Sequence, residues 1–139
     1  MRIVLDTNVF VSGLFFSGPP YRILKAWRDD EIELAISEEI LDEYRRVGEA
    51  LAAGFSGIDL NPILELVTVK AIIFPSRQLP VSLCRDPDDD KFFACALASK
   101  SKIIVSGDKH LLEVSGFRAI EVLKPRHFVN AYLRKTTRR

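Results

Sequence analysis

Arg2-Ile3-Val4-Leu5-Asp6-Thr7-Asn8 is an apolar run of strand length that stops at a carboxylate. An acid in that place stands at the carboxyl end of a strand, where open α/β sheets keep their ligand crevice. The same grammar recurs near the other end of the chain. Ile103-Ile104-Val105 is a short, wholly apolar strand, and Ser106-Gly107-Asp108 follows it. Between the two, strand-length apolar blocks alternate with helix-period segments. That alternation predicts a parallel sheet of about five strands covered by helices on both faces, an α/β/α sandwich.

The intervening elements read as follows. Tyr21, Leu24 and Trp27 recur as one face of a helix after Gly18-Pro19-Pro20, and Glu33–Ile36 is a second strand. Ser37 caps a helix whose apolar stripe is Ile40, Tyr44, Val47 and Leu51, with Glu38 and Glu39 in its first turn. Asn61-Pro62 starts another helix, and Val69–Phe74 is expected as the third strand. Asp86-Pro87 pairs an N-cap with a first-turn proline and opens a helix through Phe93, Ala96 and Leu97. A short helix from Leu111, a strand over Ala119–Leu123 and a helix over Phe128–Leu133 complete one domain, residues 1–133. Residues 134–139, Arg134-Lys135-Thr136-Thr137-Arg138-Arg139, form a basic tail.

The bulk numbers exclude several classes. With 47% hydrophobic and 28% charged residues the chain is an ordinary globular composition, and its net charge of +1 gives no global pull toward nucleic acid. Cys84 and Cys95 lack any metal-ligand spacing and read as reduced, packed thiols. No apolar run approaches the ~20 residues of a membrane span, and Asp6 interrupts the first one too early for a signal peptide, so a cytoplasmic address is expected.

Acidic positions carry the functional signal: Asp6, Glu43, the run Asp88-Asp89-Asp90, and Asp108. Each has an ordinary alternative. Asp is a common turn and cap residue, acids suit a helix first turn, and Glu43 could pair with Arg45 or Arg46. On a helical wheel, Glu43 lies about 60° from Ile40, nearest of its helix's acids to the core seam, whereas Glu38 and Asp42 face solvent. The wheel places Asp88 outward and does not separate Asp89 from Asp90. Converging carboxylates without matching cations repel one another and resist burial; divalent cations such as Mg²⁺ or Mn²⁺ are the simplest remedy, and would supply a hydrolytic chemistry.

Taken together, Ile3–Phe10, the helix Ser37–Tyr44, Asp86–Asp90 and Ile104–Asp108 resemble the PIN (PilT N-terminus) domain family, and within it the VapC-type toxins of prokaryotic toxin–antitoxin systems. The resemblance implies a metal-dependent ribonuclease that cleaves single-stranded RNA with Mg²⁺ or Mn²⁺, leaving a 5′-phosphate and a 3′-hydroxyl. It carries the catalytic and metal-binding roles onto Asp6, Glu43 and Asp108. The family's eighteen-residue interval to the last acid selects Asp90 as the third. Asn8 and Ser106 fall at its polar supporting positions, and Lys109-His110 follow Asp108 where many members carry another acid. Lys91, Lys109 and Arg126 are candidates for guiding RNA. An antitoxin protein and a homodimer, using the apolar triplet Leu14-Phe15-Phe16, are the partners it suggests. Two alternatives stay open on residues alone: a PIN-like RNA- or protein-binding module without catalysis, and a receiver-type phosphoacceptor domain. Against the latter, Asp6 lacks the adjacent acidic partner such a pocket needs.

Overall fold

The computed structural model describes residues 1–55, 57–75 and 77–133; the basic tail expected at 134–139 lies outside the described residues. Five strands, β1 (Arg2–Leu5), β2 (Glu33–Ile36), β3 (Ile72–Ile73), β4 (Ile103–Val105) and β5 (Glu121–Leu123), form one sheet in the order β3-β2-β1-β4-β5. Every pairing is parallel: Ile3 faces Leu34 on one side and Ile103 on the other. Helices flank the sheet, giving the expected α/β/α arrangement. They are α1 (Thr7–Phe15), α2 (Pro19–Arg28), α3 (Glu38–Ala52), α4 (Asn61–Lys70), α5 (Asp90–Ser99), α6 (Lys109–Leu112) and α7 (Pro125–Phe128). Ile3, Val4, Leu5 and Ile103, Ile104, Val105 are all buried, which is why these strands read as unbroken apolar runs instead of alternating.

The strand order places the site. From β1 the chain builds outward to β2 and β3, then returns to the other side of β1 with β4 and β5. The direction of winding therefore reverses between β1 and β4, and in open parallel sheets the crevice lies outside the carboxyl ends of the two strands at that reversal. Asp6 follows β1 and Ser106–Asp108 follows β4.

Three local expectations change, and one helix was unforeseen. Thr7-Asn8-Val9-Phe10-Val11-Ser12-Gly13-Leu14-Phe15 is a helix whose β-branched residues gave no helical signal. Burial holds it: Phe10 stacks on Tyr44 of α3 with ring centroids 4.0 Å apart, and Gly13 lets α2 approach. Val69 and Lys70 belong to α4, so β3 shrinks to Ile72–Ile73. Pro87–Asp89 is a 3₁₀ turn capped by Asp86, whose carboxylate accepts the Asp88 amide at 3.0 Å, and the α-helix proper begins only at Asp90. The terminal helix starts earlier, at Pro125, and widens into a π-helical turn over Val129–Leu133.

Candidate active site

Asp6 is 6% exposed, and its carboxylate is tied down by its neighbours: Ser106 Oγ donates to Oδ2 at 2.6 Å and the Asn8 amide reaches Oδ1 at 3.4 Å. Ser106 is fully buried and its Oγ also accepts the Asp108 amide at 2.9 Å. One hydroxyl thus couples the loop after β1 to the loop after β4. Asp108 in turn caps α6, accepting the His110 amide at 2.8 Å. Burial raises the Asp6 pKa above the ordinary carboxylate value; the Ser106 and Asn8 hydrogen bonds oppose that rise, while the charges of Asp108 and Glu43 add to it.

Glu43 comes from α3, on the flank of the seam where Ile40 and Tyr44 are fully buried. The Tyr44 hydroxyl donates to the Leu5 carbonyl at 2.6 Å, so α3 is fastened to the residue before Asp6. Thr7 Oγ1 donates to Glu43 Oε1 at 2.5 Å, and Lys91 Nζ stands 3.2 Å from the same oxygen. Arg46 approaches the other oxygen at 3.7 Å. Lys91 also donates to the Asp88 carboxylate at 2.8 Å and to its carbonyl at 2.9 Å, and its side chain is only 9% exposed.

The acidic run divides three ways. Asp88 pairs with Lys91, which holds its carboxyl below the usual value. Asp90 turns to the preceding loop, where its two oxygens accept the amides of Leu83 at 3.2 Å and Cys84 at 2.7 Å. Asp89 faces the other acids: burial, then the charges of Asp108, Asp86 and Asp6, push its pKa up to about 6. The charges of Asp6 and Asp108 thus act on Asp89, while the carboxylate of Asp90, the third acid expected from the family interval, is bonded to the loop amides.

A PIN domain family model matches residues 2–110. The chain belongs to the PIN domain family. It is also 36% identical, over 121 residues, to an uncharacterized protein of Methanocaldococcus jannaschii, an overlap spanning 82% of this chain and 75% of that one. PIN domains are generally nucleases and typically use divalent metal ions, which supports a nuclease-type hydrolase here.

The residues of this PIN domain suit such an ion in chemistry. Asp6, Asp89 and Asp108 offer hard oxygens, and the pKa values of Asp6 and Asp89 are raised, first by burial and then by neighbouring carboxylates. Among the described residues, no group of three or more His, Cys, Asp or Glu side chains is already positioned as a metal cage. The charges of these acids act on one another, and gathering them round an ion would need side-chain adjustment. Cys84 and Cys95 are buried, reduced thiols pushed up to about 12, mainly by burial, and so are poor ligands and nucleophiles.

Beside the acids a groove of about 620 Å³ runs between α3, α5 and the loop before α5, lined in part by Glu43, Arg46, Arg77, Pro80 and Lys91. Its lining brings Glu43 together with Asp88 and Asp90 but includes none of Asp6, Asp89 and Asp108, so it holds part of the acidic set and flanks the rest. Lys109 and Arg126 are exposed on α6 and α7, at the same carboxyl edge of the sheet, whereas the Lys91 ammonium is already engaged. Asn8 supports Asp6 through its backbone amide, its own residue being exposed. The Thr7 bond to Glu43, the Tyr44 bond to Leu5 and the Lys91–Glu43 pair are contacts the sequence did not foretell. Thr7 stood in the same three-residue motif as Asp6, but its partner Glu43 is 36 positions away. No helix among the described residues is long and apolar enough to cross a membrane.

Proposed function

We propose that this PIN domain is an endoribonuclease that cleaves single-stranded RNA with the help of Mg²⁺ or Mn²⁺. Asp6 and Asp108 would hold the ion with a third acid from the run before α5, Asp89 in place of the Asp90 that the family interval selects, and Glu43 would complete the constellation from α3. The supporting observation is the coupling of two carboxylates at the sheet's winding reversal: Ser106 Oγ bonds Asp6 Oδ2 at 2.6 Å and receives the Asp108 amide at 2.9 Å. Such a hydroxyl fixes the relative position of two acids that would otherwise repel, before any ligand arrives. A bound divalent ion would activate water, polarise the scissile phosphate and offset charge on the departing oxygen, leaving a 5′-phosphate and a 3′-hydroxyl.

The protein's own groups divide the remaining tasks. Asp6 is immobilised by Ser106 and the Asn8 amide, so it meets its ligand in a preset orientation. Thr7 and Tyr44 tie α3 to the end of β1, setting the distance from Glu43 to Asp6. Lys109 and Arg126, exposed at the sheet edge, are placed to draw phosphates in. The toxin role, a cognate antitoxin and homodimer formation rest on the family resemblance; exposed Phe16, clustered with Phe15 and Phe55, is the surface available for self-association.

The test is cleavage of end-labelled single-stranded RNA, with duplex RNA and single-stranded DNA as controls, in Mg²⁺, Mn²⁺ and EDTA. The reading expects metal-dependent cutting of single-stranded RNA, abolished in Asp6→Asn and Asp108→Asn. RNA that is bound but never cut would replace this reading with a binding module. Cutting that survives EDTA or both substitutions would remove the acids from the chemistry.

A further inference from the structure

The carboxyl edge of the sheet carries opposite charge patterns on its two sides. On the α3/α5 side the cations are spent on acids. Lys91 meets Glu43 at 3.2 Å and Asp88 at 2.8 Å, Arg46 stands 3.7 Å from Glu43, and Arg45 stands 3.7 Å from Asp42. In the groove on that side the lining acids outnumber the lining cations by five to three. On the β4/β5 side the balance reverses. Lys109 is the first residue of α6, Lys124 directly follows β5, and Arg126 lies two residues further on in α7. All three are exposed, and none makes an ion pair among the described residues. The acids nearby do not compete for them: Glu113 pairs with Arg85 at 3.7 Å, and Glu121 stands at the opposite end of β5.

Strand register brings these cations to the crevice. Val105 of β4 pairs with Leu123 of β5, and the Ser106 amide donates to the Leu123 carbonyl at 2.9 Å. Lys124 therefore leaves the sheet beside Ser106, the residue whose hydroxyl holds Asp6. A phosphate chain nearing Asp6 and Asp108 along the groove would meet surplus carboxylate, whereas from the β5 side it meets free cations. We propose that Lys124, with Lys109 and Arg126, forms a one-sided phosphate track: single-stranded RNA reaches the crevice over the loops after β4 and β5, not along the α3/α5 groove. This rests on the reading of the crevice as the place of cutting. Ammonium and guanidinium groups there meet phosphate oxygens, so the track positions a strand without reading its bases. Each such contact releases condensed counterions, which makes the track visible in the salt dependence of binding. Arg77 supplies the comparison, being exposed and without an ion pair among the described residues but lining the groove on the other side.

The experiment is binding of a fluorescein-labelled single-stranded oligouridylate to the full chain, followed by anisotropy over a series of salt concentrations in EDTA, so that no metal chemistry enters. Lys124→Gln, Lys109→Gln and Arg126→Gln should each remove about 0.7 from the slope of log K against log salt, equivalent to about fivefold weaker binding at about 0.1 M salt. The three together should remove about 2, and Lys124→Arg should keep the wild-type slope. Arg77→Gln and Lys102→Gln, the latter at the amino end of β4, should leave the slope within about 0.3 of wild type. Circular dichroism checks that each variant is folded; should the triple variant unfold, the single ones decide. An unchanged slope in the track variants, or an equal loss in Arg77→Gln, would overturn the track while leaving the nuclease reading standing. Track-dependent binding of RNA that is never cut in Mg²⁺ or Mn²⁺ would support the track and remove the nuclease reading. No binding by wild type at low salt would overturn both.

Discussion

Replacing Asp89 or Asp90 with Asn changes one carboxylate to its amide at adjacent positions, yet the structure expects opposite effects on stability. The Asp89 carboxyl is raised from 3.8 to about 6, chiefly by burial and then by Asp108, Asp86 and Asp6. A carboxyl raised in the folded state binds its proton more tightly there than in the unfolded chain. Metal-free stability therefore falls as pH rises from about 4 to about 6, and the full penalty persists above that. At about 1.4 kcal/mol per pKa unit the penalty approaches ~3 kcal/mol, and solvent screening of this half-exposed residue reduces it to about 1 kcal/mol. Asp89→Asn should recover that at pH 8 in EDTA, moving the urea midpoint up by about 0.5 M for a slope of about 2 kcal/mol per M, and should recover nothing near pH 4. Asp90→Asn loses the charge that strengthens two backbone bonds, from Leu83 at 3.2 Å and Cys84 at 2.7 Å, and should lower stability by about 1–2 kcal/mol. Activity separates them again. Loss of a metal ligand costs Asp89→Asn at least ~10²-fold in Mg²⁺-dependent cleavage, whereas Asp90→Asn should stay within about tenfold. A destabilised, active Asp89→Asn beside a stabilised, inactive Asp90→Asn would refute the reasoning and restore Asp90 as the third acid.

Mn²⁺ should raise the melting temperature of wild type, since a ligand that binds only the folded chain stabilises it, and that shift should vanish in Asp6→Asn/Asp108→Asn; equal shifts in both proteins would place the ion elsewhere. Ser106→Ala removes a buried hydroxyl that serves two partners and should cost about 1–3 kcal/mol while weakening Mn²⁺ binding, measured by urea unfolding and calorimetry. Gly13→Ala would set a Cβ 2.6 Å from Leu24 Cδ1 and 2.8 Å from the Pro20 carbonyl, so α1 and α2 must separate; a loss of about 1–3 kcal/mol in urea unfolding is expected. If copies pair through the Phe15/Phe16/Phe55 cluster, light scattering should show a dimer that Phe16→Asp converts to monomer, and an unchanged mass would exclude that surface.

How much of this could be read from residues alone depended on the range of the interaction involved. β1 and β4 were legible because a strand buried on both faces leaves an uninterrupted apolar run, and each run stops at a polar loop bearing an acid. Glu43 was legible because α3 is long and regular, so angular position along it is a sound guide. α1 was not, because Val9 and Val11 favour extended chain locally and the helix is held by tertiary burial, with Phe10 against Tyr44. β3 was overextended because Ile72-Ile73 continue the apolar character of α4 without a break.

The acidic run shows the same limit at the scale of one residue. A helical wheel carried back from the Phe93/Ala96/Leu97 face assumes about 100° per residue, but Pro87–Asp89 forms a 3₁₀ turn, where the advance is about 120°. The error accumulates before α5 starts at Asp90, so relative directions drawn from a continuous α-helix do not hold. The eighteen-residue interval to Asp108 counts positions and is equally blind to this. The proposal of Asp89 in place of Asp90 rests on which carboxylate the loop amides claim, and Leu83 and Cys84 donate to Asp90. The pKa of Asp89 is instead raised by burial and then by the charges of Asp108, Asp86 and Asp6. The same reasoning separates Glu43, matched by Lys91, from Asp6, which no cation matches among the described residues. Which acids lack a cationic partner, more than how many acids there are, is therefore the property on which the proposed divalent-ion site rests.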